Sequence, residues 1–244
     1  MTWAPAFLTN PERFMAFSRW AAPMFGVIAV VLGAIGLWLG WSVPPDYQQG
    51  ATVRIMFIHV PAAIICEVIY AFLAGASLLA LVFRHTLADC AAQAAATLGA
   101  GFTFLALVTG AFWGRPMWGA WWVWDARLTS ELVLLFLYIG FMSLHAAIDD
   151  ARRADRSAAL LALVGVVNVP IIYFSVKWWN TLHQGASVSL TRSPSMATTM
   201  LLGMLVMALG FWCYCIAVAL VRLRTTILER ERHTAWVQRV VVAI

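Results

Sequence analysis

The chain has 244 residues, of which 63% are hydrophobic and only 11% are charged, and its formal net charge is +5. Soluble domains carry charge at about a quarter of their positions, so this composition excludes an ordinary soluble globular protein. Apolar stretches of membrane-spanning length recur along the sequence and predict a polytopic membrane protein. No polar stretch is long enough for a separate soluble domain, so a functional site must lie in the membrane domain or its loops.

The apolar stretches predict six transmembrane helices in a single membrane domain, residues 1–244. A hydrocarbon core of about 30 Å requires about 20 apolar residues per helix, and the alternation typical of barrel strands is absent. The predicted spans are 23–41, 55–83, 94–113, 131–148, 158–176 and 197–221. We therefore expect an all-α bundle, with an outward tryptophan-rich loop at 114–130.

Arginines and lysines are distributed unevenly between the two sides that this topology defines. Eleven of the sixteen fall on the side of the termini, whereas the other side carries Arg54, Arg115, Arg127, Lys177 and Arg192. Because cytoplasmic segments retain positive charge, we expect both termini in the cytoplasm and three loops on the outer face. Contact with anionic membrane lipid accounts for the basic side, so no nucleic-acid partner is expected.

The four cysteines are Cys66, Cys90, Cys213 and Cys215. They show neither Cys-x-x-Cys nor Cys-x-x-Cys-His spacing, so we expect buried free thiols. The missing Cys-x-x-Cys-His motif also argues against a c-type cytochrome, in which haem is attached covalently.

Two of the five histidines, His59 and His183, fall on the predicted outer side. Pro61 is expected in the first turn of the second helix, which would fix His59 at the helix start. A single interfacial histidine is usually structural, but two neutral imidazoles can hold a low-spin haem iron between them. A zinc site would need further ligands such as Asp46 and Asp125, and the aromatic surroundings suit zinc poorly.

Tryptophans are concentrated between the third and fourth spans. Five of them fall within twelve residues, at Trp113, Trp118, Trp121, Trp122 and Trp124. Interfacial tryptophans often only anchor helices at headgroup level, but such a belt does not explain so dense a cluster. Indole rings can pack against a porphyrin, and the interleaved Arg115 and Arg127 can pair with its propionates. With Asp125 between these arginines, the segment is predicted to bind haem.

Several other polar residues have structural or functional interpretations. Glu67 lies inside a predicted span, which makes it a functional candidate, although a structural polar contact explains it equally well. Asn168 and Pro170 are expected to bend the fifth span. Ser130 is expected to cap the fourth helix with Glu131 at its positive end, both in structural roles.

The segment Trp-Gly-x-Pro-Met-Trp-Gly-x-Trp-Trp-Val-Trp-Asp-Ala-Arg-Leu-Thr-Ser, residues 113–130, resembles the signature of the haem-handling membrane proteins of cytochrome c biogenesis. The resemblance covers nearly the whole chain, and its other segments are 46–50, 59–63 and 178–185. It implies that His59 and His183 are the axial ligands of a non-covalent haem b in transit. It also implies that residues 113–125 dock the haem, and that the active loops of a bacterial inner-membrane protein face the periplasm.

The same resemblance implies a set of partners. The protein would present haem to a membrane-anchored periplasmic haem chaperone, which becomes covalently linked to it. Subunits of an ATP-driven transporter and a small membrane subunit would be assembly partners, since this chain has no phosphate-binding glycine-rich loop. The chain departs from the family at Ile64 and Ile65, where members often carry a tryptophan, so a haem-edge contact there is expected to be weaker.

Three functions could use these residues. The leading hypothesis is binding and handover of haem, in which this chain breaks no bond and is not itself an enzyme. A haem permease acting with an ATP-driven transporter is the alternative, but it would need polar residues through the bundle, and few occur. An electron-transfer cytochrome would need an inner ligand pair such as His85 and His145, which have no aromatic enclosure.

Overall fold

The computed structural model describes residues 10–183 and 193–242 of the chain. Over these ranges the protein is helical, and the only β-structure is an isolated bridge between Asp46 and Gly50. The α-helices are α1 (Pro11–Ser42), α2 (Met56–Phe83), α3 (Thr86–Trp118), α4 (Ala126–Ala147), α5 (Ala151–Gly165), α6 (Asn168–Trp178), α7 (Thr198–Arg230) and α8 (Ala235–Val242). Six spans are long and apolar enough to cross a membrane, with α5 and α6 forming the fifth. The predicted all-α bundle of six transmembrane helices is confirmed.

Small residues bring the helices close together. A Cβ atom at Gly210 of α7 would lie 3.0 Å from the backbone nitrogen of Gly33 in α1, so this pair packs almost backbone to backbone. In the central core, Tyr138 of α4 fills the space beside Gly99 of α3 and donates a hydrogen bond to the Cys66 carbonyl at 2.7 Å. Close approach of this kind holds helices together in lipid, where no hydrophobic force drives them to associate.

The helices extend beyond most of the predicted spans. α1 begins at Pro11, capped by the Asn10 side chain, rather than at position 23. Most of the predicted loop 114–130 is helical, because α3 continues to Trp118 and α4 begins at Ala126, which leaves 119–125 as the connection. Hydropathy marks only the part of a helix that suits lipid, so it misses polar helical ends.

The fifth span is interrupted just before Asn168 and Pro170, where the sequence predicted a bend. α5 ends at Gly165 and α6 begins at Asn168, with two residues between them outside the regular helices. The Asn168 side chain donates a hydrogen bond from Nδ2 to the Ser130 carbonyl at 2.8 Å. A hydrogen bond at this break therefore connects the start of α6 to the beginning of α4.

Consecutive spans run in opposite directions, which defines two ends of the bundle. We call the end with the connection 119–125 the tryptophan end. At the opposite end the Asp155 carboxylate accepts hydrogen bonds from Arg230 at 3.1 Å and from Gln93 at 3.2 Å, and lies 3.2 Å from His145 Nε2. This cluster joins four helices, α3, α4, α5 and α7. The four cysteines are buried free thiols, as predicted.

Replacement of Asp155 by alanine is expected to destabilise the bundle, because Arg230 and its neighbours would lose their shared acceptor. Half-buried groups left without a partner cost about 1–3 kcal/mol of unfolding free energy. Thermal unfolding in detergent should show a lower melting temperature. Asp149→Ala, at an exposed position, is the control, and equal melting temperatures for the two variants would contradict this role.

Candidate functional site

A cleft opens at the tryptophan end, and five segments of the chain contribute to it. It contains about 570 Å³ of empty space, part of which is open to the surroundings. Side chains from α2, α3, the connection 119–125, α4 and the segment after α6 line it. Its polar and aromatic lining residues include His59, Trp118, Trp121, Trp122, Asp125, Arg127, Glu131 and His183. All of these except Glu131 were predicted as site residues.

His59 is held against α3 through one ring nitrogen. Its Nδ1 lies 3.0 Å from the Ala106 carbonyl and 3.1 Å from the Thr109 hydroxyl. Because a carbonyl only accepts, Nδ1 carries the proton and Nε2 keeps a free lone pair. A Cβ atom at Gly110 would lie 2.9 Å from Cε1 of the ring, so the missing side chain leaves room for the imidazole. The ring is therefore fixed in the tautomer that can bind a metal through Nε2.

The position of Pro61 within α2 differs from the prediction. A 3-10 helix, Ala51–Ile55, leads directly into α2, so Pro61 is the sixth residue of the helix and lies beyond its first turn. The expectation that Pro61 lies in the first turn is therefore wrong, whereas His59, the fourth residue, lies in that turn as expected. Contacts with α3 fix the orientation of the His59 ring.

His183 approaches the cleft from the segment after α6. Its ring centroid lies 4.9 Å from that of Trp118, and its Nδ1 lies 3.6 Å from Oδ2 of Asp125. Neither of these two polar atoms has a hydrogen-bond partner among the described residues. Burial lowers the pKa of His183, the charge of Arg127 lowers it further, and Asp125 opposes both effects. The imidazole is therefore neutral near pH 7, the form that binds metals.

The predicted tryptophans occupy different positions relative to the cleft. Trp118, Trp121 and Trp122 line it. Trp124 is 75% exposed and packs edge-on against Trp122, with ring centroids 5.4 Å apart. Trp113 contacts the His59 ring edge-on at 5.6 Å and donates a hydrogen bond from Nε1 to Gln49 at 3.0 Å. Trp118, Trp121 and Trp122 thus form a wall of the cleft. Trp124 lies exposed beside this wall, and Trp113 supports His59.

The two predicted arginines also differ. Arg127 lines the cleft, where its Nη2 lies 3.6 Å from Glu67 Oε1 and its Nη1 donates to the Ile172 carbonyl at 3.0 Å. Arg115 does not line it. Its guanidinium donates to the carbonyl of Gly119, whose positive φ of 76° ends α3. Arg115 therefore stabilises the helix end next to the cleft.

Asp125 has two functions in the local structure. Its Oδ1 accepts a hydrogen bond from the Leu128 amide at 2.8 Å and so caps α4, while Oδ2 faces His183. The expectation that Ser130 is the cap is wrong, because its hydroxyl donates to the Ala126 carbonyl within the helix. Since α4 begins five residues earlier than predicted, Glu131 lies in its second turn, where it is 6% exposed and lines the cleft.

The four-residue spacing between Arg127 and Glu131 was the one signal that could have indicated this buried acid, because it places both on one helical face.

The departure from the family pattern at positions 64 and 65 lies outside the cleft lining. Ile65 is buried in the core, and Ile64 is exposed on the surface of the bundle. The last two residues of the segment 178–185 and Arg192 lie outside the described residues.

Fold and site together define a polytopic helical membrane protein with paired histidines in a tryptophan-walled cleft at one end of its bundle. A model of the family described as Heme exporter protein C matches residues 5–238. The Heme exporter protein C of Bradyrhizobium diazoefficiens is 52% identical over 92% of this chain and 85% of that protein. The protein of the same name from Escherichia coli K12 is 46% identical over 96% and 95%. The chain belongs to the haem exporter protein C family.

A plant relative is similar over a shorter range. This protein of Marchantia polymorpha, whose name refers to mitochondrial cytochrome c biosynthesis, is 45% identical over 75% of this chain and 78% of its own length. The family resemblance predicted from the tryptophan segment is thereby confirmed.

Proposed function

We propose that the protein binds haem b non-covalently in the cleft, with His59 and His183 as axial ligands of the iron. One observation carries this proposal: the two histidines, distant in sequence, line the same cleft. Each directs Nδ1 toward an acceptor, the Ala106 carbonyl or the Asp125 carboxylate. Nε2 of each ring has no partner among the described residues, so both retain a nitrogen for iron.

Other groups of the cleft suit a porphyrin. Trp118, Trp121 and Trp122 offer flat apolar surfaces against which a macrocycle can pack. Arg127 supplies positive charge toward propionates. In this proposal Asp125 acts on the iron through His183, because a carboxylate beside Nδ1 orients the imidazole and strengthens it as a ligand.

We further propose that the haem is handed to a membrane-anchored haem chaperone on the periplasmic side of the inner membrane during c-type cytochrome biogenesis. The names of the relatives support a role in haem handling, and the charge asymmetry of the sequence supports the orientation. Trp121 and Trp124 are 55% and 75% exposed, which leaves aromatic surface for an acceptor. Subunits of an ATP-driven transporter and a small membrane subunit are proposed assembly partners.

A haem permease is the second candidate, since the relatives are named as haem exporters. The packing beneath the cleft favours handover instead. Tyr70, Leu73, Leu134 and Tyr138 are completely buried in the core between α2 and α4 and leave no polar passage there. Movement of haem through this chain would therefore require partner subunits or separation of its helices.

The electron-transfer alternative finds little support at the opposite end. Both ring nitrogens of His145 lie within hydrogen-bond distance of other groups, the Phe141 carbonyl at 3.0 Å and Asp155 at 3.2 Å. Neither nitrogen is free for a second haem iron.

His59→Ala and His183→Ala are each expected to abolish the low-spin absorption bands of co-purified haem, because each removes one axial nitrogen. Absorption spectra of the purified variants, normalised to protein, measure the effect. His85→Ala, on the predicted cytoplasmic side, is the matched control and should keep the bands. Unchanged spectra in both cleft variants would refute the ligand assignment.

Gly110→Ala is expected to weaken haem binding, because the added methyl group would displace the His59 ring. Overpacking costs about 1–3 kcal/mol, which corresponds to roughly tenfold or more in affinity. Haem titration in detergent measures this change. Gly101→Ala on the same helix is the control, since a Cβ there meets nothing within 4 Å. Equal affinities would show that Gly110 does not position the imidazole.

Simultaneous replacement of Trp121, Trp122 and Trp124 by alanine is expected to impair transfer of haem to the chaperone more than it impairs folding. The measurement is covalent haem on the chaperone after incubation with the haem-loaded protein, beside the melting temperature of the variant. Trp38→Ala, an exposed residue of α1, is the control for general membrane anchoring. Transfer at the wild-type rate would show that these tryptophans only anchor the helices in the membrane.

A further inference from the structure

A buried carboxyl group lies among the cleft-lining residues at the start of α4. Glu131 is 6% exposed and lines the cleft together with His59 and Arg127. It belongs to a predicted membrane span, where an ionised carboxylate without a counter-ion is costly. The charge state of Glu131 therefore depends on whether a positive group is available to it.

Positive charge is scarce around this carboxyl. Arg127 is the only lysine or arginine among the described residues that line the cleft. Its guanidinium is already placed, with Nη2 3.6 Å from Glu67 and Nη1 bonded to the Ile172 carbonyl. Two carboxyl groups thus lie near one guanidinium, and among the described residues Glu131 itself forms no ion pair. The neutral, protonated form of Glu131 is the stable one.

Hydrogen bonding gives this carboxyl a definite orientation. Oε1 accepts a hydrogen bond from the Cys66 thiol at 3.0 Å. Cys66 is itself held by Tyr138, whose hydroxyl donates to the Cys66 carbonyl. Oε2 is buried and has no hydrogen-bond partner among the described residues. A protonated Oε2 is therefore a donor that lacks an acceptor, which costs free energy until a ligand supplies one.

We propose that the Oε2–H of Glu131 donates a hydrogen bond to a carboxylate of the bound molecule, while Arg127 pairs with the negative charge. This inference rests on the proposed haem-binding function, in which the carboxylates are the haem propionates. A neutral acid avoids the repulsion that a second carboxylate would create, and a hydrogen bond to a charged acceptor is stronger than a neutral one. Haem then enters with its propionate edge toward Glu131 and its opposite edge toward the exposed Trp121.

The test compares two ligands on full-length protein in detergent: haem b and its dimethyl ester, in which both propionates are uncharged. Glu131→Leu should bind haem b about tenfold or more weakly than the wild type, because a hydrogen bond to a charged group is lost. Glu131→Gln retains a neutral donor and should stay within about threefold. The ester carbonyls of the dimethyl ester accept only a neutral and therefore weaker hydrogen bond, so the loss of affinity in Glu131→Leu should be clearly smaller for this ligand.

Two results would overturn the inference. Glu131→Leu could bind haem b as tightly as the wild type, or it could lose the same factor for both ligands, which indicates a structural role. Either result leaves the proposed function standing if His59→Ala and His183→Ala still lose the low-spin bands. Persistence of those bands in both histidine variants would instead refute the proposed function itself.

Infrared difference spectroscopy keeps the test decisive if Glu131→Leu does not fold. The carbonyl stretch of a protonated carboxylic acid should shift when haem b is added to the wild type, and should shift less when the dimethyl ester is added. The band should be missing in Glu131→Gln. A haem-induced shift that persists in Glu131→Gln, or the absence of any protonated carboxyl band in the wild type, would contradict the proposal.

Discussion

The attachment of α6 to the beginning of α4 is the interaction on which the cleft depends. The fifth span breaks after Gly165, and a broken helix in a membrane needs new partners for its backbone and for the groups around it. Asn168 donates to the Ser130 carbonyl, and Arg127 donates to the Ile172 carbonyl. These two hydrogen bonds hold α6 against the first turns of α4. The segment that follows Trp178 therefore lies beside the cleft, with His183 next to Trp118.

Polar groups are scarce in so apolar a chain, and those of the cleft serve both the scaffold and the site. Asp125 caps α4 and faces His183, while Arg127 supports α6 and lines the cleft. Trp113 contacts His59 and bonds to Gln49. The two imidazoles of the cleft therefore contact groups that also belong to the scaffold, and the mouth of the cleft is open. Under the proposed function, this arrangement suits a protein that holds haem only until an acceptor takes it.

Hydropathy was sufficient to predict the number of spans but not where the helices end. Residues 114–118 and 126–130 were predicted as loop, and they are the last turn of α3 and the first turn of α4. The sequence contains the signals for these ends, Gly119 after α3 and Asp125 before α4, but Ser130 offered an equally good cap. The proposed orientation of the bundle rests on the distribution of basic residues between its two ends.

The sequence alone determined the class of fold, the family and the residue types of the site, because long apolar runs and a dense tryptophan motif are local patterns. Only the tertiary structure decided which residues share the cleft. It placed Arg115 at a helix end, assigned Trp113 to the support of His59, and brought Glu131 and Gly110 into the site. The physical reason is that these roles depend on the rotation and crossing of packed helices. Hydropathy records how each side chain suits lipid, and it contains no information on which faces meet.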